Sequence, residues 1–330
     1  MMAAPSQTPG YFRPSLAQLE EALSLEPKYL PVLQLPPHSL DGQEVTVGVR
    51  DGTAHVLRCL KVWYDLPSDV LCVAANVMDR FLTKMKVKSR HMACISVAAF
   101  QIAGRYSPNG NMPDSNEILA LSQSNCTAGD LSRMEGVISS KLGISYDSAP
   151  ITVAVFLRIF HDLLKSIDGP DQLYSSVVKD SEMWQLVEVI ACDAACSNFR
   201  PSELALVLLC SLFDSGIAAL NPPPAAPSVL SIVSYFAHLQ KLCQISELKF
   251  YGCHSVVVSA LNWYHAQMKL PNKQRLVWKL SNRTMKRLRP TDKLVFTLPT
   301  IDEHGQLQLP PRLFRSSGST SSEDGWSGSE

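Results

Sequence analysis

The chain has 330 residues, 46% of them hydrophobic and only 18% charged, with 30 Lys+Arg against 30 Asp+Glu. A chain this long and apolar can bury cores for two ordinary domains, and its zero net charge excludes the global basic footprint of a nucleic-acid-binding protein. Nine cysteines (59, 72, 94, 126, 192, 196, 210, 243, 253) are scattered with no CxxC among them, which reads as buried free thiols in a reducing compartment.

The opening MMAAPSQTPGYFRPS has no basic stretch followed by an apolar one, so no signal peptide is expected. Ser15 and Gln18 form a capping-box start for a short amphipathic helix, SLAQLEEALSL (15–25), and the run from Pro27 to Pro37 should end it. Helical periodicity then continues with little relief. One helix ends around HVLRCLKVWY (55–64), and Leu66 and Pro67 make a turn. SDVLCVAANVMDRFLTKM (68–85) follows, with Ser68 or Asp69 as its cap. Ser89 is placed to cap SRHMACISVAAFQIAGRY (89–106). SNEILALSQ (115–123) is short, and TAGDLSRMEGVISSKLG (127–143) opens with a Thr-x-x-Asp box and closes at Gly143.

The second half repeats the scheme, with helices expected at 151–167, 183–197, 200–213, 229–242 and 246–265. The longest apolar run, LALVLLCSLF (204–213), is half a membrane span and reads as a buried helix, so no membrane association is expected. The NCT and NRT sequons at 125–127 and 282–284 are then chance matches. No stretch alternates like a strand. The fold class is therefore all-α, as two tandem five-helix bundles of about 110 residues each. The organisation is an N-terminal extension (1–40), a first bundle (41–148), a second bundle (149–268) and a flexible tail (269–330). NPPPAAP (221–227) is a loop within the second bundle. In the tail, basic residues crowd 273–293, and SSGSTSSEDGWSGSE (316–330) has low complexity.

The helix at 68–85 poses a problem. At 100° per residue, Asn76, Asp79, Arg80 and Thr83 share one narrow stripe, while Val70, Leu71, Val73, Val77, Met78, Phe81 and Leu82 cover most of the rest. A helix this apolar must be surrounded by others, so Asp79 lies near buried surface and needs a cationic or hydrogen-bonding partner.

Catalytic motifs are missing: there is no GxGxxG, GxxxxGK[ST], HExxH or GxSxG, and the eight histidines lie far apart. Cys192 and Cys196 share a face of the expected 183–197 helix, but no His or second Cys pair stands near to complete a zinc site. Neither an enzyme nor a metal or cofactor is expected.

DRFLTKMKV after an aliphatic helix, HMACISVAAFQIAGRY behind it and RMEGVISSKLG (133–143) together resemble the cyclin box. The likeness is closest to the G-type cyclins, with which the I-type are grouped, through NVMDRFLTKMKV, FRPSELAL, NRTMKRL and LPTID in that order. The resemblance implies two cyclin folds and a partner for Asp79. An Arg at the start of the first box helix pairs with that Asp in the family, and ungapped matching from Tyr64 places Arg50 there; the alternative is that Asp79 bonds only a backbone amide. Kinase-activating cyclins use a Lys near the end of the third helix and a Glu on the fifth. Arg105 and Glu135 occupy these positions, with Ser107 and Pro108 in place of the usual acidic pair. An Arg keeps the charge but offers a planar fork instead of a point donor. An intramolecular Arg105–Glu135 pair is the plain alternative. The Met-Arg-Ala-Ile-Leu docking patch is matched by Val49, Arg50, Asp51, Gly52 and Thr53, so that docking function is expected to be lost.

In the tail, Leu298, Ile301 and Glu303 of LPTIDE fit the Leu-x-x-Ile-x-Glu pattern read by a B-type regulatory subunit of the type-2A protein phosphatase. The resemblance thus implies a non-catalytic regulatory adaptor of nucleus and cytoplasm. It would recruit that phosphatase subunit, with a cyclin-dependent kinase as a second partner left open. The rivals are an ordinary kinase-activating cyclin and a nucleic-acid-associated factor supported only by the basic stretch 273–293, which reads more simply as a solvated face or a nuclear-localisation signal.

Overall fold

The computed structural model describes residues 16–39, 42–107, 112–122, 124–169, 172–269, 300–301 and 307–308. Twelve α-helices run in chain order among them: α1 (Leu16–Tyr29), α2 (Val47–Trp63), α3 (Ser68–Lys84), α4 (Met92–Gly104), α5 (Ser115–Ser122), α6 (Ala128–Leu142), α7 (Val153–Ile167), α8 (Leu173–Val177), α9 (Asp180–Ala191), α10 (Pro201–Ala218), α11 (Ala226–Leu242) and α12 (Glu247–Lys269). Helices α2–α6 make a first bundle and α7–α12 a second, and α1 to α12 lie within one compact unit.

The first bundle is built on two helices with almost no polar face. In α3, Val70, Leu71, Cys72, Ala74, Val77, Met78 and Phe81 are all buried; in α4, Ile95, Val97, Ala98, Ala99, Phe100, Ile102 and Ala103 are. Such helices are stable only when enclosed. Accordingly α4 packs on α2, α3 and α6, whereas α3 packs on α2, α4 and α6 and also on α7 and α9 of the second bundle. In the second bundle the central element is α10. It is long and apolar enough to span a bilayer by length and composition. Its residues 204–209 are nonetheless all buried, and it packs on α7, α8, α9, α11 and α12. Gly216 lets α8 approach, because a Cβ there would stand 2.6 Å from Val177 Cβ.

Several local expectations are corrected. Helix α1 continues through Pro27 to Tyr29, since a proline in a last turn costs one intrahelical bond and leaves its φ helical. The Ser15–Gln18 capping box includes a residue outside those described. Helix α3 has Pro67 at its N-cap with no side-chain cap, and neither Ser68 nor Asp69 caps it: Ser68 Oγ donates to Glu188 (2.7 Å), and Asp69 pairs with Arg158 (2.8 Å). Ser89 opens a 3-10 turn, Ser89–His91, instead of capping α4. Its backbone N donates to Gln43 O (2.7 Å) and its Oγ to Glu44 O (2.5 Å), beside a β-bridge between Glu44 and Lys88, so it anchors the strand-like lead into α2. Helix α9 stops at Ala191, and residues 194–198 form turns, so Cys196 does not share its face with Cys192. The short helix α8 is additional. The Thr127–Asp130 capping box and the left-handed Gly143 (φ 61°), with Ile144 N donating to Ser139 O at 2.9 Å, bound α6 as its sequence implies.

Beyond Lys269, β1 (Thr300–Ile301) and β2 (Leu307–Gln308) pair antiparallel, with Thr300 opposite Gln308 and Ile301 opposite Leu307. These short strands are an addition to the all-helical expectation. The basic stretch 273–293 and the segment 316–330 lie outside the described residues.

Candidate functional site

Asp79 finds its partner across the bundle. Arg50 enters from the first turn of α2 and is fully buried. Its Nε donates to Asp79 Oδ1 at 2.9 Å and its Nη2 to Oδ2 at 2.6 Å, a bidentate fork. The other donors are also used: Nη1 reaches Asp51 Oδ1 (3.2 Å), and Nη2 reaches Ala191 O (3.2 Å) and Ser197 Oγ (3.0 Å). Ser197 Oγ in turn donates to Asp79 Oδ2 (2.9 Å), and Asp51 Oδ1 accepts from Ala194 N (2.8 Å). The pair therefore binds α2 and α3 to the 191–197 turn of the second bundle. Burial by itself would lower the Arg50 pKa, but Asp79 and then Asp51 outweigh it, so the guanidinium is held charged. A cavity of about 60 Å³ adjoins the pair, lined in part by Asn76, Cys72, Thr152 and Cys196.

Two further carboxylates, absent from the sequence reading, tie distant elements together in the same way: Glu188 joins the two bundles and Glu26 fixes α1 to the second. Glu188 of α9 is 5% exposed and accepts from Arg58 Nε (3.1 Å), Lys61 Nζ (2.5 Å) and Ser68 Oγ (2.7 Å), and Arg58 also donates to Tyr264 OH (3.1 Å) on α12. Burial pushes the Glu188 carboxyl up, but Lys61, Ser68 and Arg58 more than offset it and hold it below its ordinary value. Glu26 of α1 is 1% exposed. It accepts from Arg200 Nε (2.8 Å) and from Ser202 N (2.7 Å) at the start of α10, where an anion meets the positive end of a helix. Asn198 holds the segment after α1, its amide bonding both Leu33 N (2.7 Å) and Leu33 O (2.8 Å). The only signal in the sequence was a lone acid on an apolar face, as in QLVEVIA.

Arg105 and Glu135, thirty positions apart, meet on the first bundle. Arg105 is the C-cap of α4, and its Nη2 forms an ion pair with Glu135 Oε2 of α6. Nη1 donates to Tyr146 OH (3.2 Å), with the guanidinium 5.4 Å from the Tyr146 ring centre. The Arg105 side chain is 54% exposed and that of Glu135 11%. Burial raises the Glu135 carboxyl above its ordinary value, and Arg105 offsets part of that shift. Exposed Val137 and Tyr146 belong to the same part of the chain as Glu135 and its contacts.

Of the tail motif, Ile301 is a described residue and lies in β1; Leu298 and Glu303 fall outside those described. At the docking-patch positions, Arg50 is committed to the core, and Thr53 Oγ1 donates to Val49 O (2.6 Å). Among the described residues no three His, Cys, Asp or Glu side chains gather in a group that could hold a metal ion. Cys192 and Cys196 are both buried free thiols, with Cys192 pushed up to about 12 by burial.

Residues 21–146 match the family described as cyclin, N-terminal domain. Over 311 residues, 93% of its length, the chain is 42% identical to "Cyclin G" of Drosophila melanogaster. The chain belongs to the cyclin family. It is also 28% identical over 288 residues to "Cyclin-G2" of Homo sapiens, covering 87% of this chain and 78% of that one. These relatives place it with the G-type cyclins, although it spans only 54% of the length of the Drosophila protein. Among solved structures, a viral cyclin from herpesvirus saimiri aligns with a TM-score of 0.53 at 16% identity, covering 76% of this chain and 98% of the viral one. At that identity the likeness concerns the fold alone, which is the cyclin fold.

Proposed function

We propose that this G-type cyclin is a non-catalytic regulatory adaptor that recruits a B-type regulatory subunit of type-2A protein phosphatase through its tail and presents a kinase-contact face on its first bundle. Support for the tail is the Leu298, Ile301 and Glu303 spacing, which offers two apolar anchors and one acid to an apolar and basic groove. Pro299 biases the segment towards an extended form and lowers the ordering cost of docking. Support for the kinase face is the meeting of Arg105 and Glu135 on an accessible surface. Arg105 is more than half exposed there and is positioned to share its donors with a partner carboxylate or carbonyl.

The test is affinity purification of the tagged full chain from cells in three forms: unaltered, Leu298→Ala with Ile301→Ala, and Arg105→Ala with Glu135→Ala. The tail variant should lose the phosphatase subunit and keep any kinase, and the face variant should do the reverse. A conventional kinase-activating cyclin would retain a stoichiometric kinase and no phosphatase in the unaltered form. Binding to nucleic acid would instead weaken steeply with salt, whereas motif docking responds mildly.

A further inference from the structure

Arg80, the neighbour of Asp79, faces a different environment. It is 9% exposed, yet among the described residues its guanidinium makes no hydrogen bond and no ion pair. Its one contact of note is with Tyr29, whose ring centre lies 5.0 Å away, an interaction that satisfies none of its five N–H donors. Burial lowers its pKa, and only the Tyr29 and Tyr106 phenols act against that shift. Its nitrogens are not among the fully buried polar atoms that lack a partner, so they reach solvent at the cavity, yet a cation this enclosed with no counter-charge is uncommon.

The guanidinium lines a cavity of about 20 Å³ shared with Lys28, Tyr29, Tyr106, residues 142–145, Ser148 and Pro150. Lys28 stands at this cavity as a second cation and is exposed. No carboxylate lines it. The nearest acid to be reckoned with is Asp147, whose Oδ2 accepts from Ser145 Oγ (2.8 Å), and the carbonyl end of α6 is also close, at Leu142 and Gly143. Both reduce the positive potential without neutralising Arg80. Tyr106 OH is committed to Ser145 O (3.0 Å), so the free donors are those of Arg80, Lys28 and Ser148.

From this geometry we infer that the cavity between the end of α1, the middle of α3 and the 142–150 turn is a binding site for a phosphate group, free or carried as the tip of a phosphorylated side chain. Two cations match a dianion, and a planar guanidinium can hold two phosphate oxygens at once. The enclosed space takes about one water-sized oxygen, so a phosphate would seat one oxygen in it and leave the rest at the mouth beside exposed Lys28, and a nucleotide base is excluded. The site lies beside the Arg105–Glu135 face, since Tyr106, which lines it, stands 5.3 Å ring to ring from Tyr146, a contact of Arg105.

The test uses the purified full chain with inorganic phosphate and, in a second arm, O-phosphoserine, each against sodium chloride at equal ionic strength. Line broadening of the ³¹P signal reports binding, and the thermal midpoint reports linkage. At about 20 mM anion the midpoint should rise by roughly 4 °C beyond the chloride control. Lys28→Ala, an exposed change that leaves the core untouched, should weaken binding several-fold, and Arg80→Gln should abolish it. A response to O-phosphoserine as strong as that to phosphate assigns the site to phosphorylated side chains; a response to phosphate alone assigns it to the free ion. General salting-in or salting-out effects would be identical in all three proteins. An unbroadened ³¹P signal with the unaltered chain, or Lys28→Ala binding as tightly as that chain, overturns the inference.

Discussion

Replacing Asp79 with alanine should unfold the seam between the bundles more than any surface change of equal size. Arg50 would keep Asp51 at 3.2 Å, Ala191 O at 3.2 Å and Ser197 Oγ at 3.0 Å, but it would lose both arms of its fork and remain fully buried. Removing one member of a buried ion pair costs about 3–5 kcal/mol, because the other is left without its counter-charge. The adjoining cavity of about 60 Å³ decides where in that range the cost falls. It has room for water, and the truncated side chain would enlarge it, so Arg50 could be partly rehydrated and the loss should be about 3 kcal/mol. For a unit of this size that is roughly 6–12 °C in the thermal midpoint. Urea unfolding followed by circular dichroism, on Arg50→Met, Asp79→Leu and the double variant, closes a cycle. The double variant should be well above the sum of the singles in stability, since the apolar pair fills the same space without a stranded charge. Single variants within about 1 kcal/mol of the unaltered protein, or a strictly additive cycle, would refute the idea that the pair is desolvated and mutually dependent.

Glu188→Gln should cost about 2–3 kcal/mol at pH 7. Because the folded carboxyl titrates below its ordinary 4.5, the stability it supplies is present above that pH and fades as pH falls through the folded value; the Gln variant should therefore lack that acid-side slope in a series of urea midpoints. Arg105→Ala with Glu135→Ala should change stability by less than about 1 kcal/mol, as removing both partners, one exposed and one largely buried, strands no charge, and kinase co-purification alone should drop. A peptide of residues 293–308 should bind the phosphatase B-type subunit with a dissociation constant on the order of micromolar, measured by calorimetry, and Leu298→Ala with Ile301→Ala should eliminate the heat.

The helical framework was legible because enclosed helices carry their own signature. The apolar circumference of α3 and α4 announced that each is surrounded, and the Thr127–Asp130 box and Gly143 bounded α6 from local chemistry. What periodicity could not reveal was which distant element covers a given face. Helix α3 serves both bundles, so Ser68, read as a cap, is instead spent on Glu188, 120 positions away. Glu26 and Asn198 are likewise explained only by contacts with α10 and with Leu33. Periodicity marked only the end of α2, at 55–64, because Gly48 and Gly52 weaken the helical signal of its first turns, and it was the family resemblance that put Arg50 at the start of that helix. Arg80 sat in the same polar stripe as Asp79, yet sequence gave no reason to expect that one would be paired and the other not.

The central claim, an adaptor that holds a phosphatase through its tail, is tested most directly by mixing the purified full chain with a purified B-type regulatory subunit and measuring the mass of the eluting species by light scattering. The account predicts one-to-one complex formation that disappears with Leu298→Ala and Ile301→Ala. Two separate peaks with the unaltered chain, or a complex that survives both substitutions, would contradict it.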